Sequence, residues 1–274
     1  MYIRPTQLSD IPRIATIVDT ALNEDELNNF LNPNRAKYPL SWRQHVLNIQ
    51  YSKYYDPKSW HFVCVADGND GFAPEEEILG TVRWLRRVAK VDAAIDAWTR
   101  KLSYNEKFEG WLRSIALQWE DTIRSNPAID WKRHDAFMSS IMKSTKFAPL
   151  KETTHWWLDN LMVAPEYQRK GVGKKLVQEG LQRVREENAE RSKQGKVPVP
   201  AALVASATGP HLYRHLGFKI VGWEDAAFLD VEAVGGSAMV WDETGHWIKE
   251  IPFEGAMRRG IVEAEYTKRE DREG

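Results

Sequence analysis

The chain has 274 residues, enough for one large domain or two small ones, and its 42% hydrophobic and 28% charged side chains are those of an ordinary globular protein. A formal net charge of −1, with acidic and basic residues interleaved, lacks the basic excess of a nucleic-acid binder. The single cysteine, Cys64, excludes an intrachain disulfide. The N-terminus MYIRPTQLSD has no signal-like apolar run, and no window reaches the roughly 18 apolar residues of a membrane span, so a cytoplasmic protein is expected.

Tyr2 to Arg4 reads as a short strand ending at Pro5. Ser9 and Asp10 offer cap side chains to a helix with Pro12 in its first turn, and Ile11, Ile14, Ile17, Val18 and Leu22 recur at helical spacing. Helical pieces follow at Asp25 to Leu31 and Ser41 to Lys53, divided by the turn at Asn32-Pro33. Trp60 to Ala66 and Ile78 to Val88 then read as an antiparallel strand pair around a long acidic turn. Between about 89 and 150 the pattern turns helical. Phe108, Trp111, Leu112, Ile115, Trp119 and Ile123 follow the i, i+3, i+4, i+7 rule, which predicts a cover helix with its apolar face inward. This block is read as an insertion into a single domain spanning 1–245, and 246–274 as a C-terminal extension with a frayed end. From Trp156 the order is strand to Val163, helix from near Gly171 to near Gln194, strand Ala201 to Ala205, short helix Gly209 to Leu216, then strands Phe218 to Trp223 and Ser237 to Trp241.

The chemistry-bearing segment is Gln168-Arg169-Lys170-Gly171-Val172-Gly173-Lys174. Its glycines allow close backbone approach where a helix begins, and a helix N-terminus offers unpaired N–H groups to phosphate. Two rival phosphate motifs fail. A Walker loop requires glycine where Gln168 stands and Ser or Thr where Lys175 stands, and a dinucleotide fingerprint requires a third glycine where Leu176 stands.

Val163-Ala164-Pro165-Glu166-Tyr167-Gln168-Arg169-Lys170-Gly171-Val172-Gly173 fills every position of V-x-P-x-x-[QR]-x-x-G-x-[GA], and in this it resembles the GNAT superfamily of N-acetyltransferases. A second motif, Asn-x-x-Ala-x-x-Leu-Tyr-x-x-x-Gly-Phe, is matched at Leu212, Tyr213, Gly217 and Phe218, with Ser206 and Gly209 replacing Asn and Ala. The resemblance spans Trp156 to Trp223 strongly and is absent from Ala89 to Leu150. It implies an α/β (α+β) fold, with a mixed central sheet whose strand pair splays at an acyl-CoA site. It implies acetyl-CoA as co-substrate, held by Leu161, Met162, Val163, Gln168, Arg169, Lys170, Gly171, Val172, Gly173, Lys174, Ser206 and Tyr213. It also implies that Tyr213 protonates the departing sulfur.

A base is needed because an alkyl ammonium titrates near ~10.4. Where many family members carry Glu this chain has Trp157. Asp159, its pKa raised by burial, is the candidate base, and His155 is a second. Strict alternation would put Trp157, Asp159, Leu161 and Val163 on one face. Trp84 and Trp157 are placed to see an acceptor, whereas Arg83, Arg86 and Arg87 read as a solvated strand end. His211 and His215 lack further ligands, and no metal site is expected. The expected activity is N-acetylation of a small amine or amino-acid-like molecule. A protein or peptide acetyltransferase and a non-catalytic acyl-CoA sensor are the alternatives.

Overall fold

The computed structural model describes residues 1–69, 71, 73–89, 98–143, 150, 153–206, 209–223 and 237–247. Parts of the insertion (90–97 and 144–149), Ala207, Thr208 and the C-terminal extension from 248 onward lie outside the described residues.

Among the described residues seven strands form one sheet: β1 (Tyr2–Pro5), β2 (Ser59–Val65), β3 (Ile78–Arg87), β4 (His155–Val163), β5 (Ala201–Ala205), β6 (Lys219–Trp223) and β7 (Ser237–Trp241). Their spatial order is β1-β2-β3-β4-β5-β7-β6, and every pairing is antiparallel except β4 with β5. Among the described residues seven α-helices accompany the sheet: α1 (Ile11–Ala21), α2 (Glu26–Leu31), α3 (Pro39–Tyr54), α4 (Tyr104–Ile123), α5 (Trp131–Lys143), α6 (Val172–Lys193) and α7 (Pro210–His215). The mixed α/β architecture expected from the sequence is present.

Side-chain alternation on β3 assigns the two layers. Trp84 packs on α6, where a Cβ added to Gly180 would lie 1.9 Å from the indole nitrogen. Its neighbour Arg83 points the other way, toward Asp159 and the α3 side. Thus α6 covers one face, and α1 with α3 covers the other, tied together by the Trp42 indole donating to Asp19 at 2.7 Å. On the α6 face, Arg86 of β3 and Glu187 of α6 pair at 2.5 Å, and the Trp156 indole donates to the second Glu187 oxygen at 2.7 Å. Both charged side chains are 2% exposed, so the solvated strand end expected for Arg83, Arg86 and Arg87 is corrected at the first two positions. Arg87 lies over the Trp157 ring.

Two further expectations change. Asp10 does not cap α1 with its side chain. Its carboxylate accepts from the Gln7 N–H at 2.7 Å and from Arg4, while a 3-10 turn leads into the helix. More consequentially, α4 is amphipathic but inverted. A Cβ on Gly110 would meet Tyr55, Arg113 lies over the Tyr51 ring and Glu120 pairs with His45 at 3.0 Å, so its polar side faces α3. The predicted apolar face lies outward, with Trp111 56% and Trp119 64% exposed.

Candidate active site

Only Trp156–Ala201 and Trp157–Ala202 pair β4 with β5. Beyond them β4 stays registered on β3 as far as Val163, and β5 stays registered on β7 as far as Ala205. The two strands therefore diverge into a cleft, and the chain returns to its mouth twice, through α6 after β4 and through α7 after β5.

The turn into α6 has an unusual backbone shape. Arg169 and Gly171 both adopt left-handed backbone, at φ of +60° and +82°. Such residues in a turn swing successive N–H groups toward one side and make a concavity suited to an anion. Lys175 N–H returns to the Gly171 carbonyl at 3.1 Å, and the N–H groups of the first helical turn ahead of it have no intrahelical acceptor. Gly173 sits where Leu161, Val163 and Leu212 converge, because an added Cβ would lie 3.8, 3.7 and 3.4 Å from them. Gln168 donates to the Val163 carbonyl at 3.4 Å, fastening the loop to the strand end. A polar N-terminal rim above an apolar throat fits a ligand with a phosphate and a slender apolar arm.

Tyr213 stands on α7, buried and edge-on to Phe218 at 5.7 Å between centroids. Burial pushes its phenol above the ordinary value, so the proton is held throughout the neutral range. Leu212, its neighbour, reaches the Gly173 turn, which places α7 at the cleft. Ser206 is exposed just after β5, and its carbonyl accepts from Gly209 N–H at 3.0 Å.

The strand half of the site differs from simple alternation. Arg83 is opposite Asn160 while Trp84 is opposite Leu158, so Asp159 is the extra residue of a β-bulge. A bulge re-aims the side chains that follow it. Leu161 and Val163 consequently face α6 and the cleft, whereas Asp159 faces α3, which corrects the expectation of one shared face. There its carboxylate accepts from Arg83 at 2.8 Å and from Lys53 at 3.2 Å. Burial pushes the Asp159 pKa up, but the charges and hydrogen bonds of Lys53 and Arg83 outweigh it, and the net shift is downward. The expected raised pKa is overturned.

Trp84 is 0% exposed in the core behind α6, so it does not reach an acceptor from this position. Trp157 is half-buried on the opposite face, beside Leu85 and Ala202. His155 lies where β4 and β5 are still paired, its ring nitrogen bonded to the Thr153 carbonyl at 2.9 Å; burial lowers its pKa to about 4.

The structure adds residues that sequence reasoning passed over. His61 on β2 stands opposite Arg83, and Arg83 stands opposite Asn160, so three polar side chains share one row beneath α3. Both His61 ring nitrogens and the Asn160 side-chain oxygen are buried without a hydrogen-bond partner among the described residues. Burial, reinforced by Arg83 and Lys53, lowers the His61 pKa well below its usual value and keeps the ring neutral. Arg83 is held by Ser59 at 2.6 Å and Asp56 at 2.8 Å as well as by Asp159. The available signal was a histidine and an arginine inside the otherwise apolar strand runs WHFVCV and ILGTVRWL.

Residues 139–220 match the family model described as an acetyltransferase (GNAT) domain. Among curated proteins, none matches the sequence. A solved structure of histone acetyltransferase HPA2 and related acetyltransferase from Corynebacterium glutamicum superposes with a TM-score of 0.50 at 16% identity, over 87% of this chain and 93% of that one. This likeness shows the fold. Arabidopsis thaliana NAA60 in complex with acetyl-CoA gives 0.42 at 15% identity, over 89% of this chain and 99% of that one. A mosquito arylalkylamine N-acetyltransferase like 5b gives 0.41 at 11% identity, over 87% and 98%.

Proposed function

We propose that this chain, whose residues 139–220 match a GNAT acetyltransferase domain, moves an acetyl group from acetyl-CoA directly to the nitrogen of a small amine or amino-acid-like acceptor. The observation that supports this most is the conjunction of the left-handed Arg169–Gly171 turn at the start of α6 with the two-residue pairing of β4 and β5. Acetyl-CoA would supply the thioester carbon, whose bond to sulfur breaks as the bond to nitrogen forms. Arg169 to Lys174 would hold its phosphates, with Lys170 and Lys174 adding positive charge. Leu161, Met162, Val163 and Ser206 would hold the slender arm.

Tyr213 would face the sulfur. Its pKa lies above the roughly 8.5 of a thiol, so full proton transfer to a thiolate is uphill. Its part is to donate a hydrogen bond as negative charge grows there. Asp159, ionised and paired, would orient Arg83 and the bulge and thereby position the acceptor side of β4. The acceptor proton would leave through solvent or the polar row of Asn160 and His61.

Calorimetry with acetyl-CoA, desulfo-CoA and unrelated nucleotides tests the binding reading, which no CoA-type binding would overturn. Thiol release across an amine panel tests the reaction, and tight binding with no turnover on any acceptor would favour a sensor. Gly173→Val would fill the convergence of Leu161, Val163 and Leu212. It is expected to weaken acetyl-CoA binding at least about tenfold, roughly 1.4 kcal/mol, with the melting temperature nearly unchanged.

Asp159→Asn distinguishes positioning from base catalysis. Because the folded pKa is depressed, the carboxylate is ionised at every pH near neutrality. The variant should lower kcat/KM while leaving the pH–rate limb between about 6 and 9 in place; loss of that limb would restore Asp159 as the base. The linked stability is present above the unfolded pKa of about 3.9 and lost as pH falls through the lower folded value. Wild type and variant should therefore differ in melting temperature at neutral pH and converge in strong acid.

A further inference from the structure

The outward face of α4 is the largest feature that the acetyl-transfer reading leaves unused. Phe108, Trp111, Leu112, Ile115, Trp119 and Ile123 are each between 42% and 64% exposed, and Tyr104 is 85% exposed. The other exposed large hydrophobic residues, such as Leu8, Leu40, Val197 and Val204, belong to separate elements or loops. On α4 the polar side already has its partners on α3: Tyr55 against Gly110, Tyr51 under Arg113 and His45 on Glu120. The helix is thus anchored by its polar side and holds an apolar stripe out to water over 20 residues, roughly 30 Å.

We propose that this stripe is a homodimer interface in which α4 packs antiparallel against α4 of a second copy. Three observations favour a copy of the same chain. The first is area. With aromatic side chains presenting about 150–250 Å² each, the stripe amounts to roughly 600–800 Å². That exceeds the about 300–600 Å² of the largest patch on a typical monomer and approaches the about 800 Å² that each partner of a standard interface buries.

The second is self-complementarity, which a two-fold interface requires. Reversing α4 about the point between Ile115 and Ala116 brings Phe108 opposite Ile123 and Leu112 opposite Trp119, apolar onto apolar. The third is a groove of about 340 Å³ beside the stripe, lined in part by Ala116, Trp119, Glu120 and Asn126. The same reversal brings Trp111 of the second copy opposite Glu120, over this groove. A membrane surface fits less well, because α4 carries Glu106, Glu109, Glu120 and Asp121 against Lys107 and Arg113, the wrong balance for anionic lipid.

Sedimentation velocity of the full chain across a micromolar series should show a dimer. Trp111→Glu/Trp119→Glu should be monomeric throughout, its dissociation constant raised at least about a hundredfold, with wild-type circular dichroism and acetyl-CoA affinity. Cross-linking fixes the register, since the only native cysteine, Cys64, is buried. Ile115→Cys should oxidise to a covalent dimer, while Thr122→Cys, roughly 20 Å from its mate along the paired helices, should not. A wild type that stays monomeric overturns the proposal, as does equal cross-linking of the two cysteine variants. A monomer whose tryptophan emission shifts with lipid vesicles would overturn it in favour of a membrane surface. Protection of α4 from amide exchange that is lost on removing residues 248–274 would overturn it in favour of the chain's own C-terminal segment.

Discussion

Replacing Tyr213 by phenylalanine is expected to lower kcat by about 10²–10³, the usual cost of removing one donor that stabilises developing charge, while acetyl-CoA affinity changes little. The ring stays packed, because the contact with Phe218 and the burial of α7 involve the aromatic body and survive loss of the hydroxyl. The pH dependence is the sharper readout. A phenol held protonated well above neutrality contributes no titration between about pH 6 and 9, so wild type and variant should share one profile shape at different heights. A kcat within about threefold of wild type would remove Tyr213 from the mechanism. A collapse in melting temperature would instead assign it to the core.

The largest expected loss of stability follows from Glu187→Gln. Glu187 sits in the middle of α6 with its two oxygens accepting from Arg86 and from the Trp156 indole, all on the buried side of the sheet. Glutamine keeps the size and offers one acceptor oxygen, so the Arg86 and Trp156 donors are no longer both answered, and Arg86, with Arg191 at 3.7 Å from Glu187, loses the opposite charge. Breaking a buried pair by removing one partner costs about 3–5 kcal/mol, against about 5–15 kcal/mol for a whole domain. Chemical denaturation would show the midpoint falling with the slope unchanged. Since Glu187 lies roughly 20 Å along the helix from Gly173, acetyl-CoA affinity measured well below the melting temperature should be preserved. A loss under about 1 kcal/mol would mean that the site is wetter than its burial indicates.

What the sequence could convey depended on whether the information was local. Strand and helix limits came from hydrophobic period and from Gly and Pro punctuation, and the helices at 11, 39, 172 and 210 lie close to where those signals put them. The turn proposed to hold phosphate was legible because its glycines, its basic residues and the helix it opens are adjacent in the chain. The face of Asp159 was not, because a bulge is defined by the partner strand, and nothing in HWWLDNLMV says that Arg83 and Trp84 skip a residue. Arg83 and Arg86 read as solvated for the same reason: their partners lie on α3, β4 and α6, far away in sequence. Helical period established that α4 has an apolar stripe, but period carries no sign. Which side faced the protein was decided by Tyr51, Tyr55 and His45 on another helix.

The short pairing of β4 with β5 has a consequence for the backbone itself. Past Trp157 and Ala202 each strand turns one row of amide and carbonyl groups toward a gap, so the protein contains two facing sheet edges in its interior. Exposed edges invite pairing with whatever extended chain arrives. Here they lie beside the cleft that α6 and α7 flank, a place suited to something slender. Amide hydrogens of alternate residues in Leu158–Val163 and Leu203–Ala205 should exchange quickly in the ligand-free protein and slow when the cleft is filled. On that reading a bound ligand would finish the sheet.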